Sequence, residues 1–195
     1  MKSILRKAVP NATTMIRMDH THVLATFHRY RRDTPAQVKQ GLVNMICTAL
    51  EVHAQLEEEI FYPAMRAAAA SDGAIVDKSL PEHEEMKRLI GKLRGMQPGD
   101  ALYDDTVMEL MRGVLHHVAD EETTLLPDAE RLLGEQLEDL GLQMTKRRLE
   151  LTVPRAGEIA VNTVRAIPAT SMVLAAVAVV AGAYVVKRAM SREAA

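Results

Sequence analysis

The chain has 195 residues, and 48% of them are hydrophobic, so it can bury one sizeable core and we expect one main domain. Its formal net charge of −2 balances 24 basic against 26 acidic side chains without a long basic run, which argues against a nucleic-acid partner. Cys47 is the only cysteine, which excludes an intrachain disulfide and any site with several cysteine ligands.

Four long segments carry apolar residues at three- and four-residue spacing, which predicts four amphipathic helices. They are residues 12–30, 35–70, 74–96 and 101–133. The short connections between them favour antiparallel neighbours. A shorter fifth helix is predicted over residues 135–150. We therefore predict an all-α fold, an antiparallel up-down four-helix bundle with a short fifth helix, that occupies residues 1–150.

The end of the chain has a different composition. Residues 166–186 contain no charged side chain, and an uncharged helix of that length can span the hydrocarbon layer of about 30 Å. We predict a C-terminal apolar transmembrane helix here, after a linker or interfacial helix over residues 151–165 and before a short basic tail over residues 187–195. The alternatives are a helix that packs on the bundle or one that forms a homodimer.

The N-terminal stretch is basic but lacks an apolar run, so no secretory signal peptide is predicted. Together with the C-terminal helix, this predicts a single-pass anchor that leaves the bundle on the cytoplasmic face of a membrane. A chain truncated after Glu150 is then expected to keep its core.

A motif recurs in the second and fourth predicted helices. The stretch HAQLEEEIFYP at residues 53–63 and the stretch HVADEETTLLP at residues 117–127 share a His, a Glu four residues later and a Pro six residues after that Glu. The four-residue spacing puts His53 and Glu57 on one face of a helix, and it does the same for His117 and Glu121. The prolines are expected to kink or to end these helices.

An acid–His pair precedes each copy of the motif at nearly the same distance. His20 lies 33 residues before His53, and His83 lies 34 residues before His117. Two such halves, packed with pseudo-twofold symmetry, bring four His and two Glu into one core. A buried carboxylate requires a compensating charge, so this set suits a pair of metal ions.

Imidazole and carboxylate ligands suit iron, manganese or zinc. Taken singly, each of these residues is better explained as part of a solvated acidic face or as a satisfied core histidine. The joint recurrence at fixed offsets favours the metal site. The pattern also differs from that of ferritin-like di-iron bundles, because the chain contains no Glu-x-x-His.

These motifs, MDH, HAQLEEEIFYP, PEHEEMKRLI and HHVADEETTLLP in this order and spacing, resemble the hemerythrin-like HHE cation-binding domains. The resemblance covers about residues 12–150 and implies a four-helix bundle with two non-haem iron ions joined by an oxo or hydroxo bridge. It implies as terminal ligands His20, His53, His83 and His117, and as bridging carboxylates Glu57 and Glu121.

One position departs from the oxygen-carrying hemerythrins, which have a second His four residues after the one matched by His83. Lys87 occupies that position here, so two His per iron remain and more coordination positions stay open. Further ligand candidates are Glu58 and Glu122, which lie beside the bridging pair, and three histidines. Helical geometry favours surface or supporting roles for these histidines, of which His28 is the best candidate ligand. The other two are His22 and His116.

The function implied by the resemblance falls into several classes. As a binding protein, the domain would bind O₂ or NO reversibly, or sense oxygen or iron. As an enzyme, it would act on a small oxidant such as peroxide or NO. Iron storage or delivery is a third possibility. The sequence shows no oriented general base and no substrate pocket, so it assigns no reaction, and the missing fifth His favours sensing or redox chemistry over O₂ carriage.

Overall fold

The computed structural model describes residues 9–69 and 74–168, and the elements in this part of the chain are helical. In chain order they are α1 (Ala12–His28), α2 (Ala36–Leu56), α3 (Tyr62–Ala68), α4 (Ala74–Arg94), α5 (Tyr103–Asp120), α6 (Leu126–Leu133), α7 (Gln136–Thr152) and α8 (Ala156–Arg165). Two π-helical turns, Glu57–Phe61 and Glu121–Leu125, join α2 to α3 and α5 to α6 without a break, and a 3₁₀ turn at Val153–Arg155 joins α7 to α8.

Four long helical units form the bundle. The first is α1, the second is α2 continued by α3, the third is α4, and the fourth is α5 continued by α6. Short connections at residues 29–35 and 95–102 turn α2 back against α1 and α5 back against α4. The predicted fifth helix is α7, which packs on α1 and α2. The all-α bundle predicted from the sequence is thus consistent with the structure.

Two apolar clusters fill the bundle on either side of a polar middle layer. One joins the start of α1 to α3 and α6 around Ile16, Leu56 and Phe61. The other joins the end of α1 to the first part of α2 and to α5 around Phe27 and Ile46. The polar residues between these clusters are therefore cut off from solvent along the bundle axis.

Helix α8 packs along α2, so residues 156–165 are part of the bundle surface. The Asn44 side-chain amide donates to Oδ1 of Asn162 at 3.1 Å, and Arg29 donates to the backbone carbonyl of Ala166 at 2.7 Å. Ala166 is buried with Leu42 in a small apolar cluster. Truncation after Glu150 removes all these contacts, so we now expect it to lower the stability of the bundle.

The prediction of a single-pass C-terminal anchor on the cytoplasmic face of a membrane is wrong. In the part of the chain that the structure describes, no helix combines the length and the apolar composition needed to cross a bilayer. The candidate span over residues 166–186 begins at Ala166, which packs on α2. Its remainder from residue 169 onward and the basic tail over 187–195 lie outside the described residues.

Gly41 allows the close approach of α8 to α2. A Cβ atom at Gly41 would lie 2.6 Å from the backbone nitrogen of Ala166 and 2.9 Å from the carbonyl carbon of Arg165. Gly41→Ala is therefore expected to displace the end of α8 and to lower the free energy of unfolding by about 1–3 kcal/mol, measured by urea denaturation.

Gly91→Ala is the matched control for this substitution. Gly91 is exposed on α4, and no described heavy atom outside its own helix lies within 4 Å of a Cβ placed there. Alanine should stabilise this helix by up to about 1 kcal/mol. Equal effects of the two substitutions would mean that α8 does not rest on α2.

Candidate metal centre

The six residues singled out by the sequence repeat meet in the polar middle layer. His20 lies on α1, His53 near the end of α2, His83 on α4 and His117 near the end of α5, while Glu57 and Glu121 begin the two π-helical turns. Each is at most 4% exposed.

Their ligand atoms form two groups. In the first group, which comprises His20, His53, Glu57 and Glu121, the ligand atoms all lie within 4.8 Å of one another. The second group comprises Glu57, His83 and His117 and meets the same limit. Glu57 belongs to both groups, so the layer is one continuous site.

Each carboxylate faces one histidine from each half of the chain. Oε2 of Glu57 lies 3.2 Å from Nε2 of His53 and 3.4 Å from Nε2 of His83. Oε2 of Glu121 lies 3.2 Å from Nε2 of His20 and 3.5 Å from Nε2 of His117. The pseudo-twofold symmetry expected from the repeat is thus present in the side-chain geometry.

A second ring of carboxylates faces the other ring nitrogen of the histidines. Nδ1 of His20 is 2.8 Å from Glu122, and Nδ1 of His83 is 2.8 Å from Glu58. Because an ionised carboxylate can only accept a hydrogen bond, each of these Nδ1 atoms carries a proton. The Nε2 atom of each ring faces the centre of the site and could give its lone pair to a metal that displaces any proton there.

One of the other two histidines has similar support, because Nδ1 of His117 is 3.0 Å from Glu82. Nδ1 of His53 lies 3.5 Å from Asp19, within ion-pair distance, and has no hydrogen-bond partner among the described residues. Asp19 and Glu82 come from the same half as the histidine they face, whereas Glu58 and Glu122 come from the opposite half. The supports therefore obey the same pseudo-symmetry as the inner residues.

Tyr62 also reaches the centre, and sequence reasoning missed it. This buried side chain donates from its hydroxyl to Oε1 of Glu121 at 2.8 Å. The Tyr62 hydroxyl oxygen also lies 3.2 Å from Nε2 of His83. In a regular α-helix Tyr62 would point about 140° away from Glu57, five residues earlier. The π-helical turn, in which the Tyr62 amide donates to the Glu57 carbonyl, brings the two side chains to the same face.

Comparison with known proteins agrees with this geometry. The family described as hemerythrin HHE cation binding domain matches residues 11–129, which include all six inner residues. The chain belongs to the hemerythrin HHE cation-binding domain family.

Two individual proteins are similar in sequence to parts of this chain. A DNA nickase from Nostoc sp. is 32% identical over 115 residues, which make up 59% of this chain but only 32% of the nickase. An uncharacterized hemerythrin-like protein from Schizosaccharomyces pombe is 23% identical over 137 residues, or 70% of this chain and 67% of that protein.

A solved structure shares the fold. The crystal structure of a hemerythrin HHE cation binding domain-containing protein from Mycobacterium kansasii superposes with a TM-score of 0.65 at 18% identity. The match covers 80% of this chain and 99% of that one.

The pKa values of the buried residues inside the HHE domain are compatible with a bound cation. Burial would lower the pKa of His20, but the carboxylates of Glu121 and Glu57 outweigh it and raise this pKa to about 9. Burial and then the charge of Glu121 raise the pKa of Glu57 well above its usual range. A bound metal would favour the charged form of Glu57, which burial and Glu121 disfavour.

Several inner atoms also have no hydrogen-bond partner among the described residues. They are Nε2 of His20 and His53, Oε1 of Glu57 and Oε2 of Glu121. Buried polar atoms of this kind are normally satisfied. Since these four atoms are imidazole nitrogens and carboxylate oxygens that face one centre, the residues fit a metal of the iron, manganese or zinc type.

The remaining candidates from the sequence lie outside this centre. Lys87 is 40% exposed and donates to Glu58 at 2.8 Å, so it braces the carboxylate that supports His83. His22 and His28 are exposed, and His116 lies at the surface 3.7 Å from Glu82. Glu58 and Glu122 have the supporting role described above, and the position of a fifth histidine is not filled by any of these five side chains.

The supporting carboxylates should matter for metal affinity. Glu122→Ala removes the acceptor that orients His20, so we expect it to weaken metal binding by about 10- to 100-fold, measured by competition with a chelator of known affinity. Glu109→Ala, which removes an exposed carboxylate of α5, should leave the affinity unchanged. Equal affinities of the two variants would show that His20 needs no such support.

Proposed function

We propose that this HHE domain binds two non-haem iron ions and uses them to interact with small oxidants or diatomic gases such as O₂, NO or peroxide, in a sensing or redox role. The observation that carries the proposal is the position of Glu57 and Glu121, each of which faces histidines of both halves. A carboxylate in that position could be shared between two ions.

The inner histidines can be assigned to the two ions according to which of their ligand atoms lie close together. His20 and His53 would hold one ion, and His83 and His117 the other, with Glu57 and Glu121 shared. Iron is preferred over manganese and zinc because of the family resemblance of the motifs, since the ligand types suit all three metals. When bound, iron would supply Lewis acidity and one-electron redox chemistry.

Burial restricts what can reach this centre. All six inner side chains are at most 4% exposed, and apolar clusters cover the layer on both sides. Diatomic gases and peroxide are small enough to reach such a site through local fluctuations, whereas larger substrates are not. The enclosure therefore favours small oxidants as partners.

Tyr62 gives one side of the centre a different chemistry from the other. Its hydroxyl donates to Glu121 beside His83, and the equivalent residue after Glu121 is the apolar Leu126. Burial raises the pKa of Tyr62 far above its usual range, so the hydroxyl keeps its proton and acts as a donor. We infer that Tyr62 orients Glu121 by donating its single hydroxyl proton to this carboxylate.

The match with the Nostoc relative covers only 32% of that protein, so it gives no ground for assigning nickase activity to this chain. The balanced charge of the chain supports the prediction that it has no nucleic-acid partner. A homodimer also stays a prediction.

Anaerobic titration of the full chain with Fe(II), followed optically, tests the proposal. We expect an end point at about two ions per chain, followed by spectral changes when O₂, NO or hydrogen peroxide is added. A reversible change without turnover would favour sensing, and continuous loss of peroxide or NO would favour the alternative, a detoxifying enzyme. Uptake of many more ions would favour storage or delivery, and an end point at one ion would contradict the shared position of Glu57.

A further inference from the structure

A second cluster of metal-ligand side chains lies outside the centre, at the surface between α4 and α5. It comprises Glu82 of α4 with His116 and Asp120 of α5, and one ligand atom of each lies within 4.8 Å of the other two. The three side chains can be reached from solvent, because Glu82 is 21%, Asp120 36% and His116 66% exposed. An ion therefore needs no channel to arrive here.

The two helices hold the three ligand atoms close to the spacing that a metal requires. His116 and Asp120 are four residues apart on α5, which puts them on one face of this helix. Nε2 of His116 lies 3.7 Å from Oδ2 of Asp120 and 3.7 Å from Oε1 of Glu82 on the neighbouring helix. Ligand atoms bonded at about 2.1 Å to a tetrahedral ion are about 3.4 Å apart. Small side-chain adjustments, without movement of either helix, would therefore complete the geometry.

The types of ligand indicate the kind of ion. One imidazole nitrogen and two carboxylate oxygens form a set typical of Zn²⁺ sites that keep a fourth position for water. The two carboxylates also balance the charge of a divalent cation, whereas they would repel an anion. The imidazole makes the cluster less suited to Ca²⁺ or Mg²⁺, which prefer oxygen ligands alone.

Lys78 competes for one of these ligands. Its ammonium group forms an ion pair with Oδ2 of Asp120, the same oxygen that faces His116. Both partners are at the surface, where such a pair contributes little to stability. The long Lys78 side chain can turn into solvent, so a divalent cation could take the place of its single charge.

The cluster does not follow from the duplicated motif. When the two copies of the motif are superimposed, the positions of His116 and Asp120 correspond to Val52 and Leu56 in the first half. Both of these residues are buried and apolar. The cluster is therefore specific to the second half, in contrast to the pseudo-symmetric inner centre.

We propose that Glu82, His116 and Asp120 form an outer site, which binds one divalent transition-metal ion of the Zn²⁺ type. Glu82 joins this outer site to the inner centre, because its Oε1 faces His116 while its Oε2 lies 3.0 Å from Nδ1 of His117. An ion on Oε1 would draw negative charge away from His117, so the outer ion and the inner ions should weaken each other. This coupling rests on the proposed function, whereas the binding of the outer ion does not.

Calorimetric titration of the full chain with Zn²⁺ tests the outer site. We expect one weaker ion to bind after the inner centre has filled, because the outer ligands are exposed and partly engaged by Lys78. His116→Ala should weaken this ion at least about 100-fold, since loss of a mere support for a ligand already costs about 10- to 100-fold. His28→Ala, which removes an exposed histidine of α1, should leave it unchanged. Equal binding of the weaker ion by the two variants would overturn the outer site.

Lys78→Met provides a test in the opposite direction. Removal of the competing ammonium group should strengthen the weaker ion by up to about fivefold, the range expected for a surface ion pair. Asp120→Asn should weaken the same ion, because it removes a charged ligand. If neither substitution changed the affinity, the ion would not lie at Asp120 and the outer site would be wrong.

Glu57→Ala separates the outer site from the inner centre. In this variant the tight ions should be lost while the ion that depends on His116 remains. Loss of the weaker ion in Glu57→Ala but not in His116→Ala would overturn the outer site and leave the two-ion centre standing. Failure of the proposed function would appear instead as absence of the tight ions from the natural chain, with the ion that depends on His116 still bound.

The same titrations measure the coupling between the two sites. Because coupling is reciprocal, the outer ion should bind about fivefold more tightly to Glu57→Ala, whose inner centre stays empty, than to the natural chain. Equal affinities of the outer ion for these two proteins would overturn the coupling alone.

Discussion

Glu57→Ala is expected to remove most of the metal from both halves of the centre. Glu57 belongs to both groups of ligand atoms and faces histidines of both halves, so its loss should weaken both ions together. Glu121→Ala should act in the same direction, because Glu121 faces the other pair of histidines. Metal analysis of the purified variants after dialysis measures the effect.

Glu59→Ala is the matched control for these variants. Glu59 lies two residues after Glu57, but its side chain is 40% exposed and pairs with Arg147 at the surface. This variant should keep its full metal content. If Glu57→Ala and Glu121→Ala also kept theirs, neither carboxylate would be a ligand.

Removal of the metal by a chelator is expected to lower the melting temperature by about 10 °C. A ligand present at a thousand times its dissociation constant adds about 4 kcal/mol of stability, and a domain of this size shifts by about 2–4 °C per kcal/mol. The cause is that a bound metal would compensate the buried carboxylate of Glu57, whose charged form burial and Glu121 otherwise disfavour. Differential scanning calorimetry of the loaded and chelated protein measures the shift.

Glu57→Gln shows whether this shift comes from the centre. The variant carries no charge at this position, so its melting temperature should change little on chelation and should equal or exceed that of the chelated natural protein. If chelation left the melting temperature of the natural protein unchanged, metal binding would contribute nothing to the stability of the bundle.

The positions of the six inner residues followed from the sequence because two regular features determine them. Helical periodicity places His53 with Glu57 and His117 with Glu121 on one face, and the duplication of the motif requires the two faces to meet. The helical segments were predictable for the same reason, since their apolar stripes and short connections leave few ways to pack. The ligation of metal by these residues is still a prediction.

Other features depend on tertiary contacts, which the periodicity of the sequence does not predict. Tyr62 reaches the centre only because a π-helical turn brings its side chain to the same face as Glu57, and the regular α-helical repeat does not predict this turn. The supports Glu58 and Glu122 each cross to the opposite half, where local sequence gives no signal. The packing of α8 on α2 was also not predictable, because an apolar helix face that packs on protein has the same composition as one that faces lipid.

The crossed supports have a consequence for the origin of the chain. Because Glu122 holds His20 and Glu58 holds His83, neither helical hairpin contains all the contacts of its own first histidine. Two identical hairpins packed side by side would together form all the contacts of both histidines. The arrangement is what duplication and fusion of a single hairpin gene would leave behind, with Tyr62 and Leu126 as a place where the two copies have since diverged.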